Sequence, residues 1–179
     1  KCHVACLKSA GRMGMAFDAR LNRTKLYLTN PAEYFNQLTK EIGSFIKKAE
    51  RKNLTPLVRL NGTSDIRWEN IGFYKNGNYY SNIMEFFPDL QFYDYTKIPN
   101  REKSINGVQS FPKNYDLTFS YSGAKGFEKF NDRALREGWR VAVVFDKIEN
   151  IPVTFHGRKV VSGDDTDIRH LDPKNVIVS

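Results

Sequence analysis

The chain has 179 residues, of which 40% are hydrophobic and 13% aromatic. This length and composition are typical of a globular domain with a hydrophobic core, and they exclude disordered and collagen-like proteins. The longest apolar run, residues 141–145, is far shorter than the roughly 20 residues of a membrane-spanning helix, so we expect no membrane segment. We therefore expect one domain over residues 1–179, and its start shows no secretory signal pattern.

The formal net charge of +8 is confined to the first third of the chain. Residues 1–59 contain 12 Lys and Arg against 4 Asp and Glu, whereas residues 60–179 contain 16 of each type. Such a basic region can bind phosphate groups, and nucleic acid in particular. The alternative is a basic protein that binds no nucleic acid, and composition alone does not decide between the two.

Hydrophobic periodicity predicts helices that alternate with short strands. Asn30 and Pro31 are suited to the N-cap and the first position of a helix, and apolar residues at steps of three and four continue it to Ala49. Further helices are predicted at 9–23, 81–87 and 124–137, and a tight turn at 75–78. The predicted strands are 57–60, 90–95, 115–121, 139–145 and 175–178, with shorter extended pieces at 151–153 and 160–161.

This alternation is typical of an α/β fold with a mainly parallel sheet. Most strand centres are far enough apart for a strand–crossover–strand unit, which needs about 30 residues. We predict an incomplete (β/α) barrel or an open, mainly parallel sheet of about five or six strands with flanking helices. A doubly wound sheet is the second choice. The predicted strand 139–145 should be buried on both faces. The predicted helix 124–137 should place four side chains in the core, those of Phe127, Phe130, Ala134 and Leu135.

Polar side chains directly follow several predicted strands. The carboxyl ends of parallel strands meet at one edge of a sheet, where ligands bind, so we expect these side chains to line one crevice. An Asp–Lys pair there can shift pKa values enough for acid–base chemistry. The candidate catalytic residues are Asp65, Asp94 and Lys97. The candidate substrate-binding residues are Arg59, Asn61, Ser64, Ser120 and Ser122.

These residues also have a structural explanation. Asp and Ser after a strand commonly cap the next helix, which accounts for them without any ligand. Lys97 is harder to explain as a cap, because it follows a buried Tyr-Asp-Tyr-Thr run. Aromatic residues such as Tyr93 and Tyr95 could stack on bases beside basic groups, although core packing explains most of them.

Two short segments contain residues that bind metals in other proteins. Cys2 and Cys6 would share one face of a helix, either as half of a metal or iron–sulfur site or as two buried or reduced thiols. The loop with Asp164, Asp165 and Asp167 has the oxygen atoms that a hard cation prefers, but a solvated turn has the same composition. The sequence contains no motif for a nucleophile triad, a phosphate-binding loop or a dinucleotide.

Several segments resemble one known family, in the same order along the chain. The segments are residues 2–12, which begin Cys2-His-Val-Ala-Cys6, residues 19–25, residues 58–65 (Val58-Arg-Leu-Asn-Gly-Thr-Ser-Asp65), residues 92–97 (Phe92-Tyr-Asp-Tyr-Thr-Lys97), residues 117–120 and residues 163–173. The pattern resembles the gene-product-88-like family of uncharacterised bacteriophage and plasmid proteins. The resemblance implies a location in the cytoplasm of a bacterial host. It also implies a further N-terminal strand and cysteine, a segment that this sequence would lack.

The cysteine layout of that family, placed before a partial barrel, is similar to the layout of radical-SAM enzymes. Those enzymes hold a [4Fe–4S] cluster with three cysteines. The similarity implies an iron–sulfur cluster on Cys2 and Cys6 with a further ligand, although the spacing of these two cysteines is not the usual one for radical-SAM enzymes.

Two functions fit these observations. The first is an enzyme that acts on a phosphate-bearing or nucleic-acid-related substrate at the strand carboxyl ends, with an iron–sulfur cluster. The second is a non-catalytic nucleic-acid-binding or host-interaction protein that uses the basic region 1–59. The partner expected from the sequence is a nucleic acid or a nucleotide-like ligand, or a host component in the host-interaction alternative, and neither function predicts an oligomeric state.

Overall fold

The computed structural model describes residues 17–98, 101, 111–164, 166, 168–173 and 175–179. These residues divide into two compact units. The first unit contains the described residues up to Val58 and those from Gly62 to Leu90, and the second unit contains Arg59–Asn61 and Gln91–Ser179. That the whole chain forms a single domain stays a prediction.

The first unit contains helices and a small hairpin. Its helices are α1 (Phe17–Thr29), α2 (Pro31–Glu50) and α3 (Ile83–Phe86), and its strands are β1 (Leu57–Val58), β2 (Phe73–Lys75) and β3 (Asn78–Tyr80). Helix α1 continues past the end predicted at residue 23, and the predicted helical residues 9–16 lie outside the described residues. Across the described ranges, none of the helices combines the length and the apolar character that crossing a membrane requires.

Helix α2 begins and packs as its sequence predicts. The Asn30 side chain accepts a hydrogen bond from the Glu33 backbone N–H at 3.2 Å, which satisfies one donor of the first turn. Phe35 and Ile42 are buried on the apolar face of the helix. The Phe35 ring stacks on the Phe73 ring of β2, with the two centroids 4.4 Å apart. Burial of these rings joins α2 to the hairpin.

Strands β2 and β3 form the hairpin that the turn at 75–78 predicts. Asn76 and Gly77 have φ angles of 52° and 81°, the left-handed values that a two-residue type I′ turn requires. Asn and Gly adopt these angles more readily than other residues. The local sequence is therefore sufficient to place this turn.

Among the described residues, six strands of the second unit lie side by side in the main sheet. The six are β4 (Gln91–Thr96), β5 (Tyr115–Ser120), β6 (Val141–Ala142), β7 (Thr154–Phe155), β8 (Arg158–Val161) and β9 (Ile177–Val178). Their order is β4-β5-β6-β9-β8-β7, and every neighbouring pair is parallel except β7 and β8. The predicted α/β fold with an open, mainly parallel sheet is confirmed, and the described sheet does not close into a barrel.

The strand predicted over 139–145 is much shorter in the structure. Only Val141 and Ala142 belong to β6, and Val144 is 97% exposed. The two strands beside β6 end at the same position along the sheet. β5 ends at Ser120 and β9 ends at Val178, and each of these two residues pairs with Ala142. The backbone after Ala142 therefore has no long strand beside it, and the prediction of a strand buried to residue 145 is wrong.

Helix α4 (Glu128–Arg136) connects β5 to β6, and its buried residues agree only in part with the predicted ones. Phe130 is 46% exposed, whereas Asn131 and Ala134 are buried. Asn131 lies inward because its side-chain amide group forms two hydrogen bonds with the backbone of Ser122. These bonds offset the cost of burying a polar amide. Hydrophobic periodicity alone places Phe130 inward, and that prediction is wrong.

Candidate functional site

Two of the predicted site residues meet at the carboxyl ends of β4 and β5. The strands are parallel and Thr96 pairs with Phe119, so Lys97 follows β4 at the level of Ser120, the last residue of β5. The Lys97 Nζ atom donates hydrogen bonds to Ser120 Oγ at 3.0 Å and to the Ser120 carbonyl oxygen at 3.2 Å. The structure thus brings together a candidate catalytic residue and a candidate substrate-binding residue.

Tyr95 lies on the same face of the sheet as this pair, and Arg59 lies against the Tyr95 ring. Tyr95 precedes Lys97 by two residues, and side chains two apart along a strand point to the same face. The central guanidinium carbon of Arg59 is 4.8 Å from the centroid of the Tyr95 ring, a cation–π geometry. All four residues are half-buried. We call Arg59, Tyr95, Lys97 and Ser120 the carboxyl-edge site.

The carboxyl-edge site combines two cations, a hydroxyl group and an aromatic ring. A lysine ammonium attracts phosphate as a point charge, and a guanidinium can donate two parallel hydrogen bonds to it. A serine hydroxyl can donate a third, and an aromatic face can stack on a base or another flat group. This set of groups is suited to a ligand that contains phosphate.

Asp94, another candidate catalytic residue, is enclosed rather than open to a ligand. Its side chain has a relative exposure of 0%. Asn61 donates its backbone N–H to Oδ1 at 2.9 Å and its side-chain amide to Oδ2 at 3.3 Å, and Tyr115 donates its hydroxyl to Oδ2 at 2.8 Å. Arg59 Nε lies 3.9 Å from Oδ1. The carboxylate therefore anchors the segment that holds Arg59 and Asn61 to β4.

Burial changes the proton affinity of this carboxyl group. It raises the pKa of Asp94 from 3.8 to about 6, although the hydrogen bonds from Tyr115 and Asn61 and the charges of Arg59 and Arg101 oppose the increase. At neutral pH Asp94 is therefore mainly ionised, and it becomes protonated under mildly acidic conditions. A buried carboxyl group with such a pKa is found at functional sites and also in structural networks.

Arg101 and Tyr115 extend the hydrogen-bond network around Asp94. Neither of them was predicted from the sequence as a site residue. Arg101 Nη2 donates a hydrogen bond to the Tyr115 hydroxyl at 3.2 Å, and the Arg101 side chain is almost fully buried. The sequence around Arg101 has no hydrophobic periodicity, so no local signal marked this residue. Tyr115 begins β5 and is indistinguishable in sequence from an ordinary core aromatic.

Ser122 makes contacts that agree with the structural explanation. Its backbone N–H donates to Asn131 Oδ1 at 3.2 Å, and its carbonyl oxygen accepts from Asn131 Nδ2 at 2.7 Å. Its side-chain Oγ accepts a weak hydrogen bond from the Ala124 N–H at 3.3 Å. These contacts organise the loop before α4, and no contact links Ser122 to the carboxyl-edge site among the described hydrogen bonds.

Ser64 and Asp65 belong to the first unit, whereas the carboxyl-edge site and Asp94 belong to the second. Ser64 is exposed and Asp65 is half-buried. Their predicted roles in substrate binding and catalysis stay predictions.

The metal ligands predicted from the sequence fall mostly outside the described residues. Cys2 and Cys6 do so, as do Asp165 and Asp167 of the acidic loop. Within the described ranges, no group of three or more His, Cys, Asp or Glu side chains is arranged to hold a metal ion. The iron–sulfur cluster stays a prediction.

The basic first third of the sequence contributes exposed cations in the first unit. The exposed lysines and arginines of α1, α2 and the turn after α2 are Arg23, Lys25, Lys40, Lys47, Lys48, Arg51 and Lys52. Arg23 lies 3.9 Å from Glu41 in an exposed ion pair. Lys47 and Lys48 occupy the last turn of α2, where the helix dipole favours positive charge. The helix dipole is a structural explanation for part of this surface.

The profile of one protein family, described as gene product 88, matches residues 1–179. Searches of curated proteins and of solved structures found no significant match. The family description names no substrate and no cofactor, and it lends no support to a radical-SAM layout. Because the match covers the whole sequence, the chain belongs to the gene product 88 family.

Proposed function

We propose that the protein is an enzyme that acts on a phosphate-bearing or nucleic-acid-related substrate at the carboxyl-edge site. The observation that carries this proposal is the Lys97–Ser120 pair at the ends of two neighbouring parallel strands. Ligands of open α/β sheets commonly bind outside the carboxyl ends of the strands. A half-buried lysine at that position is suited to neutralise the charge of a phosphate group.

Each residue of the site has a separate role in this proposal. Lys97 attracts a phosphate oxygen, and the Ser120 hydroxyl donates a hydrogen bond to the same group. Arg59 binds the next charged oxygen, and the Tyr95 ring, 4.8 Å from the guanidinium, limits where that guanidinium can lie. Asp94 acts as a positioning residue, since its side chain is fully enclosed and lies beside Arg59.

Direct binding measurements test the proposal. We expect Lys97→Met to weaken binding of fluorescently labelled ATP by about tenfold, which is roughly the loss of one charge-assisted hydrogen bond. Ser120→Ala should weaken it less, because a neutral hydrogen bond contributes less. Lys113→Met is the matched control, since Lys113 is exposed and precedes the opposite end of β5. Equal affinity in the wild type and Lys97→Met, with both folded, would contradict the proposal.

A non-catalytic nucleic-acid-binding protein is the second candidate, and the exposed cations of α1 and α2 favour it. Binding that rests on phosphate contacts alone falls steeply with salt. For this candidate we expect affinity for single-stranded DNA to collapse between about 50 and about 200 mM salt, and to decrease in Lys47→Met/Lys48→Met. The same affinity should be unchanged in Lys97→Met. If the enzyme proposal is right, binding should instead weaken in Lys97→Met and stay unchanged in Lys47→Met/Lys48→Met.

No step of the proposed function passes through an iron–sulfur cluster. Cys2 and Cys6 are the residues predicted to bind one, and iron and acid-labile sulfide in protein purified without oxygen test that prediction. Stoichiometric iron and sulfide that disappear in Cys2→Ala would support it. A folded protein without iron would contradict it.

A further inference from the structure

A cavity in the second unit shares no residue with the carboxyl-edge site. It has a volume of about 590 Å³ and opens to solvent. Its lining residues are Lys129, Asp132, Leu135, Arg136, His156 and Arg158. Four of these belong to α4, and the other two belong to the hairpin of β7 and β8. We call this space the α4 cavity.

The local structure explains why these side chains meet. Lys129, Asp132 and Arg136 are three and four residues apart on α4, and residues with this spacing lie along one side of a helix. His156 and Gly157 have φ angles of 50° and 73°, which form the tight turn between β7 and β8. Arg158 begins β8 directly after this turn.

The lining of the cavity has an excess of positive charge. Lys129, Arg136 and Arg158 contribute three cations, and Asp132 contributes one carboxylate. Among the ion pairs of the described residues, none includes any of these three cations. Arg133 on the same helix differs, because its Nε lies 2.9 Å from Glu137 Oε1.

Arg158 is the cation whose position is held most firmly by the protein. Its Nη1 atom donates a hydrogen bond to the Trp139 carbonyl oxygen at 2.6 Å. The side chain is half-buried, and burial lowers the pKa of the Arg158 guanidinium, which still stays charged at neutral pH. An anion beside a partly desolvated guanidinium would offset the cost of its burial.

We propose that the α4 cavity binds a phosphate ester of nucleotide size. Its volume is within the range of about 300 to 1,000 Å³ that is usual for small-molecule sites. Lys129, Arg136 and Arg158 bind the phosphate oxygens, and Leu135 provides an apolar wall for the body of the ester. Asp132 accepts a hydrogen bond from a ligand hydroxyl, which distinguishes an ester with a sugar from inorganic phosphate.

The test is calorimetric titration with AMP and with inorganic phosphate at low salt. It is carried out on Lys97→Met protein, in which binding at the carboxyl-edge site is weakened. Arg136→Met is the test variant, because Arg136 is exposed and its side chain makes no hydrogen bond or ion pair with the described part of the chain. Arg133→Met is the control, with the same charge change on the same helix. Thermal melts verify that all of these variants fold.

We expect AMP to bind, and its affinity to fall at least about tenfold in Arg136→Met and less than about twofold in Arg133→Met. Similar losses in both variants would show that net charge alone attracts AMP, and this would overturn the proposal. Absence of AMP binding, or AMP binding no tighter than inorganic phosphate, would also overturn it. Because Arg136→Met and Arg133→Met are compared in the same Lys97→Met protein, a difference between them reports on the α4 cavity and not on the carboxyl-edge site.

Discussion

Tyr115 donates its hydroxyl hydrogen to Asp94 Oδ2 at 2.8 Å across the neighbouring strands β5 and β4. The same hydroxyl oxygen accepts a hydrogen bond from Arg101. One buried phenol therefore connects a carboxylate to a guanidinium, and the carboxylate in turn binds Asn61. Buried networks of this kind stabilise a fold only while all of their members have partners.

Tyr115→Phe should lower the free energy of unfolding by about 1 to 3 kcal/mol, because Asp94 loses a donor inside the protein. Chemical denaturation monitored by fluorescence measures the change. Tyr121→Phe is the control, since the Tyr121 hydroxyl makes no hydrogen bond with the described residues. The control should change stability by less than about 0.5 kcal/mol. Equal effects of the two substitutions would contradict the role assigned to Tyr115.

Stability should depend on pH through Asp94. The pKa of Asp94 is about 6 in the folded protein against a usual 3.8, so the folded state binds this proton more readily than the unfolded state. Burial of the charged form costs stability above the folded pKa, and the cost is removed as the pH falls toward the unfolded value.

The unfolding free energy of the wild type minus that of Asp94→Asn isolates this effect, because asparagine does not titrate. We expect the difference to rise as the pH falls from about 7 to about 4, by at most about 1.4 kcal/mol per pH unit. Urea denaturation at several pH values measures it. A difference that is constant or falls over this range would contradict the raised pKa.

Asn131→Ala should destabilise the second unit by about 1 to 2 kcal/mol, because the backbone of Ser122 loses two hydrogen bonds. Thermal unfolding and faster hydrogen exchange of the Ser122 amide would report the loss. Asn150→Ala removes only an exposed hydrogen bond to Asp146 and should have an effect below about 0.5 kcal/mol. No change in Ser122 exchange would be evidence against this role of Asn131.

Two glycine substitutions should change the stability of the protein in opposite directions. Gly77→Ala places a side chain at φ 81° in the hairpin turn and should destabilise the protein by about 1 kcal/mol or more. Gly43→Ala lies within α2, where an added Cβ meets nothing within 4 Å, and should stabilise it by about 0.5 to 1 kcal/mol. Thermal melts measure both changes. Destabilisation by Gly43→Ala would show that the apparent space beside α2 is not available.

Some of the candidate site could be predicted because strand ends are visible in the sequence. Lys97 and Ser120 each follow or end an apolar segment, and parallel pairing brings such positions to one edge. Arg101 and the lining of the α4 cavity lack such a signal. Arg101 lies in a segment without periodicity, and Lys129, Asp132 and Arg136 have the pattern of an ordinary solvated helix face.

The sequence by itself determined the features that depend on a few neighbouring residues. These are the alternation of helices and strands, the start of α2 at Asn30 and the left-handed turn at Asn76 and Gly77. Backbone angles and local hydrogen bonds decide such features within a few residues. They therefore need no knowledge of the rest of the chain.

Only the tertiary structure decided which polar groups are buried and where the strands end. Asp94 is enclosed because partners distant in sequence, Asn61 and Tyr115, satisfy its oxygen atoms. Strand β6 ends at Ala142 because both of its neighbours end there, although the apolar run continues. In each case the free energy depends on groups that are adjacent only after folding, so no local pattern could have predicted the outcome.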